Sequence, residues 1–97
     1  MSDYAFTPSA QADLEEIWAY VAADHAEAAD TLESDVFAAC QLLSRHPEMG
    51  MKRPGWTDLP VRFWLVRRFY LIVYDPESKP IRILRILHSA RDIHKLL

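Results

Sequence analysis

The chain has 97 residues, of which 51% are hydrophobic, 26% charged and only two glycine, a composition that excludes a disordered or fibrous protein and fits one globular domain over residues 1–97. The net charge is −3, and a lone cysteine, Cys40, leaves no disulfide framework to build. The start, MSDYAFTPSAQADLEE, turns acidic where a signal peptide needs a basic and then an apolar stretch. No apolar run approaches the roughly 20 residues that span a bilayer. The expectation is a soluble, cytoplasmic protein with a reduced thiol.

The small net charge conceals a strong asymmetry. Residues 1–44 carry nine acids and no lysine or arginine, whereas residues 45–97 carry all eleven basic residues against five acids. The halves are therefore −9 and +6. Such a division offers a basic surface to an anionic partner, or else draws the two halves together across the fold.

In chain order, Tyr4 and Phe6 alternate with smaller residues and predict a short strand. Thr7 followed by Pro8 is a helix start, a capping hydroxyl with proline at the first helical position. Leu14, Ile17, Trp18 and Val21 recur at the spacing of one helix face. Asp24 with Glu27 resembles a capping box, which predicts a second helix beginning there. Its stripe runs Leu32, Val36, Cys40, Leu43, and Pro47 stops it after His46. The stretch PEMGMKRPGWTDLP is loop chemistry. Three strands follow at Val61–Val66, Phe69–Tyr74 and Ile81–His88, separated by turns at Arg67–Arg68 and DPESKP, and short connections make them an antiparallel meander. Ser89 and Asp92 then cap a short final helix with Ile93, Leu96 and Leu97. The expected fold is α+β: strand, helical hairpin, three-stranded meander and C-terminal helix.

Both faces of that meander read as apolar. Tyr70, Ile72 and Tyr74 oppose Leu71 and Val73, and in the last strand Ile81, Ile83 and Leu87 oppose Leu84 and Ile86. One helical hairpin covers one face, so the C-terminal tail or a second protein must cover the other.

The helical hairpin ending in SRHPEMG, the strand RRFYLIVY and the closing ILRILHSARD resemble ParE toxins of the ParE/RelE superfamily over nearly the whole chain. The resemblance implies a toxin–antitoxin pair of the plasmid-stabilisation kind. Its partner would be a cognate antitoxin, ParD-like or another small DNA-binding protein, whose C-terminal segment wraps the toxin in a hetero-oligomer. It also implies DNA gyrase as target, with replication blocked. The alternative is a RelE-like, ribosome-dependent mRNA endoribonuclease, and a third reading is a degenerate member that only binds its antitoxin.

A ribonuclease needs a base for the ribose 2′-hydroxyl, an acid for the leaving oxygen and cations for the phosphate. Arg85 and His88, with Arg62, Arg67 and Arg91, supply part of that set. Arg85 and His88 are three apart on a strand, however, and point to opposite faces. The ribonuclease members also place a tyrosine near the C-terminus; SARDIHKLL has none, and Tyr70 and Tyr74 are not assumed to replace it. No catalytic residue is therefore assigned, and no cofactor or membrane partner is expected.

Arg85 interrupts an apolar strand, so it either meets an acid such as Asp92 or faces a partner. His88 has the ordinary role of a hydrogen-bonded core histidine, and Arg91–Asp92 would fix a turn. His25, His46 and His94 lack metal-ligand spacing, so no metal site is expected. Cys40 and Trp18 belong to the core. Trp56, in a loop of Gly, Pro and basic residues, is a candidate partner anchor. With Trp56, the residues Arg62, Arg67, Arg68, Arg85, His88 and Arg91 form the candidate surface for antitoxin or target; Lys52 and Arg53 read as solvated charge, a reading that also fits Arg67–Arg68.

Overall fold

The computed structural model describes residues 3–89 and residue 96. Strand β1 (Tyr4–Phe6) runs straight into helix α1 (Pro8–Ala22). Thr7 is extended, at φ −71° and ψ 162°, and its Oγ1 accepts the Ala10 N–H at 3.1 Å, so the expected capping hydroxyl starts the helix. Helix α2 spans Ala26–Arg45. Its cap differs from the expected Asp24–Glu27 box. His25 is the N-cap, and its Nδ1 accepts the Ala28 N–H at 3.0 Å. The chain turns extended at His25, at φ −158°, which leaves Asp24 one residue too early to reach the first free N–H groups. The stripe Leu32, Val36, Cys40, Leu43 is buried throughout. Arg45 closes the last turn, His46 is the C-cap, and Pro47 opens a single 3₁₀ turn, Pro47–Met49.

Strands β2 (Arg62–Val66), β3 (Tyr70–Asp75) and β4 (Ile81–His88) form the expected antiparallel meander. Strand β1 returns to pair parallel with β4, giving the sheet order β1-β4-β3-β2. The β2–β3 turn is made by Arg67 and Arg68, both left-handed at φ 53° and 69°. Two central residues at positive φ match the twist of the flanking strands, although arginine adopts this region at a cost of roughly 1 kcal/mol each. Three contacts oppose that cost. The Phe69 N–H donates to Val66 O at 3.2 Å, Ser89 Oγ donates to Arg68 O at 2.9 Å, and Arg67 pairs with Asp35 of α2.

The hairpin covers one face of the sheet. There Ala10, Leu14, Leu32, Val36, Cys40 and Leu43 pack on Val66, Ile72, Tyr74, Ile81, Ile83 and Ile86. The other face buries Val61, Phe63, Leu71, Val73 and Leu87, with Trp56, Leu84 and Leu96 laid against them. Both faces are apolar, as the sequence indicates, and a loop tryptophan and a tail leucine cover the second. The facing of β4 needs correction. The β3–β4 register shifts at Val73/Tyr74, where Val73 opposes Arg85 but Tyr74 opposes Ile83. Leu84 is the extra residue. A bulge of one residue resets the two-residue alternation, so Ile86 joins Ile81 and Ile83 under the helices while Leu87 joins Leu84 on the far side. The expected C-terminal helix lies outside the described residues, apart from Leu96.

Candidate functional site: the cleft beside the fourth strand

Strand β1 covers the outer edge of β4 only as far as Ile83. Beyond it the backbone of β4 needs other partners, and the start of α1 supplies them. The Thr7 N–H donates to Ile83 O at 3.0 Å, and the Thr7 hydroxyl donates to Leu84 O at 2.9 Å. Two turns on, Asp13 Oδ2 accepts the Ile86 N–H at 2.9 Å. The same carboxylate takes Arg85 in a fork, Nε to Oδ2 at 2.7 Å and Nη2 to Oδ1 at 3.0 Å. The third nitrogen, Nη1, donates to Leu96 O at 3.1 Å. Arg85 thus ties strand, helix and tail together. The side chains are only 28% and 14% exposed, and the hydrogen bond to Asp13 raises the Arg85 pKa against the opposing effect of burial. A two-pronged, partly desolvated pair of this kind fixes geometry as well as charge.

The acid that Arg85 meets is therefore Asp13, whereas Asp92 lies outside the described residues. Asp13 had a signal in the sequence. It falls among Ala10, Leu14 and Ile17, on the buried stripe of α1, as Arg85 falls within an apolar strand. Two misplaced charges of opposite sign call for each other.

Past this bridge, α1 and the end of β4 part to leave a cleft of about 430 Å³. Ile17, Tyr20, Tyr70, Ile86 and Leu87 give it apolar walls, and Asp13, Glu16, Arg85 and His88 give it polar ones. Tyr20 is 82% exposed. His88 is also exposed, not the core histidine expected; its ring meets Tyr70 edge-on at 5.6 Å and Phe69 at 6.4 Å. Neither Tyr20 nor Glu16 stands out from the sequence, because an aromatic or an acid on an amphipathic helix is ordinary until the neighbouring strand is placed.

The other expected site residues are dispersed. Arg62 lies at the opposite end of the sheet, where its Nη1 donates to Gly50 O at 2.8 Å and Glu48 O at 3.1 Å. It shares that corner with Tyr74, whose hydroxyl donates to Pro47 O at 2.6 Å and accepts the Gly50 N–H at 2.9 Å. Gly50 is needed there because a Cβ would collide with the Tyr74 ring. A second hollow beside Arg62 mixes Lys52 and Arg53 with Asp58, Asp75 and Glu77 and shows no single charge preference. Trp56 packs edge-on against Phe63 at 5.1 Å, with the Arg53 guanidinium 5.4 Å from its ring centre. That gives the loop tryptophan a packing role and makes Arg53 more than solvated charge. Arg67 is bound to Asp35, Arg68 is exposed in its turn, and Arg91 lies outside the described residues. Of the candidates among the described residues, the structure brings Arg85 and His88 alone to one cleft. Cys40 is fully buried, and burial pushes its thiol up to about 12, which keeps it inert.

The fold is α+β, with the outer edge of β4 covered by β1 and the start of α1 and an aromatic-lined cleft left open beside its end. The chain belongs to the ParE toxin family of the type II toxin–antitoxin system parDE, whose model matches residues 4–93. It is also similar to a solved chain of the chromosomal ParDE toxin–antitoxin system from P. aeruginosa, with 28% identity and a TM-score of 0.69 over 88% of this chain and 92% of that one. No curated protein matches the chain. The fold, the toxin function and an antitoxin partner expected from the sequence all stand on this ground.

Proposed function

We propose that this toxin works by binding DNA gyrase in the bacterial cytoplasm and so stops replication, and that a small DNA-binding antitoxin neutralises it. The observation that carries a binding mode over a chemical one is the engagement of Arg85. Among the described residues it is the arginine that lines the cleft, and its fork is already occupied by Asp13. Phosphate chemistry needs a cation aimed at the reacting group, not one held by a carboxylate. Exposed Tyr20 and Phe69 beside the cleft support the same reading, since aromatic side chains held in water are characteristic of contact surfaces. Among the described residues no helix is long and apolar enough to cross a membrane.

The candidate contact residues divide accordingly. Arg68 and His88 are exposed and make the direct contacts in this reading, Arg91, which lies outside the described residues, stays a candidate, and Arg62, Arg67, Arg85 and Trp56 hold the surface in shape. The ribonuclease alternative draws on one observation, the approach of Tyr70 to His88 at the cleft. Induction of the toxin alone separates the two. The expected result is loss of thymidine incorporation and filamentation before any fall in methionine incorporation. Cleavage of mRNA in the A site of purified translating ribosomes would overturn the gyrase reading.

A further inference from the structure

Among the described residues, the cleft beside β4 sets two carboxylates, Asp13 and Glu16, against Arg85 and His88. Asp13 is occupied by Arg85 and the Ile86 N–H. Glu16 lines the same cleft and forms no ion pair among the described residues. The helical layer cannot balance it, because residues 1–44 contain nine acids and no lysine or arginine. Asp13, Glu16, Ile17 and Tyr20 fall at the spacing of one helix face, so carboxylate and aromatic ring are presented together. Tyr20 is the most exposed of the large hydrophobic side chains, at 82%. An exposed aromatic beside a carboxylate with no ion pair among the described residues is half of a contact whose other half is apolar and cationic.

We propose that this cleft receives a segment of the antitoxin that places an apolar anchor between Ile17, Tyr20 and Tyr70 and a lysine or arginine on Glu16. The inference rests on the toxin–antitoxin reading and adds the place and the charge of the contact. Charge selects the occupant. A nucleic acid would bring phosphates to the Glu16 carboxylate and is repelled, and the helical half of a second copy, with its nine acids, is repelled as well. A basic, apolar peptide segment is attracted and covers the exposed ring.

The test uses the purified toxin and its co-expressed antitoxin. Antitoxin Kd is measured for the wild type and for Glu16→Gln, Glu16→Lys and Tyr20→Ala, each with a thermal melt to show that it folds. Tyr20→Ala should weaken binding about thirtyfold, the scale of a buried aromatic anchor. Glu16→Lys should weaken it about tenfold, with Glu16→Gln between it and the wild type, and the Glu16 effect should fade in about 0.5 M salt. An antitoxin with the matching lysine or arginine changed to glutamate should regain affinity for Glu16→Lys. Unchanged Kd in folded Tyr20→Ala and Glu16→Lys overturns the proposal. Lost growth arrest with intact antitoxin binding overturns it too, and assigns the cleft to the cellular target. If the wild-type proteins do not associate at all, the toxin–antitoxin reading fails first, which is a different result.

Discussion

The two faces of the sheet are covered in different ways. On one, the α1–α2 hairpin lays a continuous stripe, Leu14 to Leu43, over Ile72, Tyr74, Ile83 and Ile86. On the other, Phe63, Val73 and Leu87 are met by single side chains from distant places, Trp56 from a loop and Leu96 from the tail. The first cover is periodic and comes from two long helices. The second is assembled piecemeal, and Leu96 depends partly on Arg85 for its position. A face closed by isolated side chains opens locally, whereas a face closed by a hairpin opens only when the fold does.

Matched truncations on the two faces give the largest expected difference. Leu43 is fully buried beneath the hairpin, and Leu43→Ala should cost about 2–5 kcal/mol of global stability by denaturant unfolding. Trp56 is a larger side chain, but it is only partly buried and sits on the rim. Trp56→Ala should cost less, about 1–3 kcal/mol, and should instead increase dye binding to the exposed second face. Equal losses of stability, with no new dye binding for Trp56→Ala, would show that the two covers are equivalent. They would also return Trp56 to the role of partner anchor.

The tie between the faces comes next. Arg85→Ala removes the fork to Asp13 and the bond to Leu96 O, but leaves Asp13 its bond from Ile86. The pair is not wholly buried, so the expected loss is about 1.5–3 kcal/mol, the scale of a charge-assisted hydrogen bond. Asp13→Ala should cost more, since it also leaves the Ile86 N–H without an acceptor. If Arg85→Ala melts like the wild type, the guanidinium is not structural and belongs to the partner surface.

These contrasts follow what the chain made legible. Element order, the Thr7 cap, the α2 stripe and the meander could all be read, because periodicity and proline act within a few residues. The facing of Ile86 and Leu87 could not, since one bulged residue at Leu84 reverses an alternation that otherwise looks continuous. The Asp13–Arg85 bridge joins residues 72 apart, and only the parallel return of β1 onto β4 brings them together. The cleft was hidden for the same reason. The His25 cap is not legible in the sequence because histidine stands outside the residues that ordinarily cap helices.

The smallest expected effect lies under the hairpin and appears only in alkali. Burial raises the Cys40 thiol from an ordinary 9.0 to about 12. Between pH 9 and pH 10 the unfolded chain releases the thiol proton while the native chain keeps it. The native state then binds more protons, so stability falls as pH rises through this window. The loss assigned to Cys40 is about 1 kcal/mol across that one pH unit. Tyr74 and Tyr4, also raised by burial, begin to add a decline of the same sign at higher pH. Cys40→Ala should flatten the slope between pH 9 and pH 10 whatever it does to stability at neutral pH. Thiol labelling sharpens the comparison further. If the hairpin face opens only globally, the labelling rate of Cys40 in folded protein should track global stability and should hardly respond to dye bound on the Trp56 side. Fast labelling of the stable wild type at pH 8 would mean that the helical cover breathes as freely as the other.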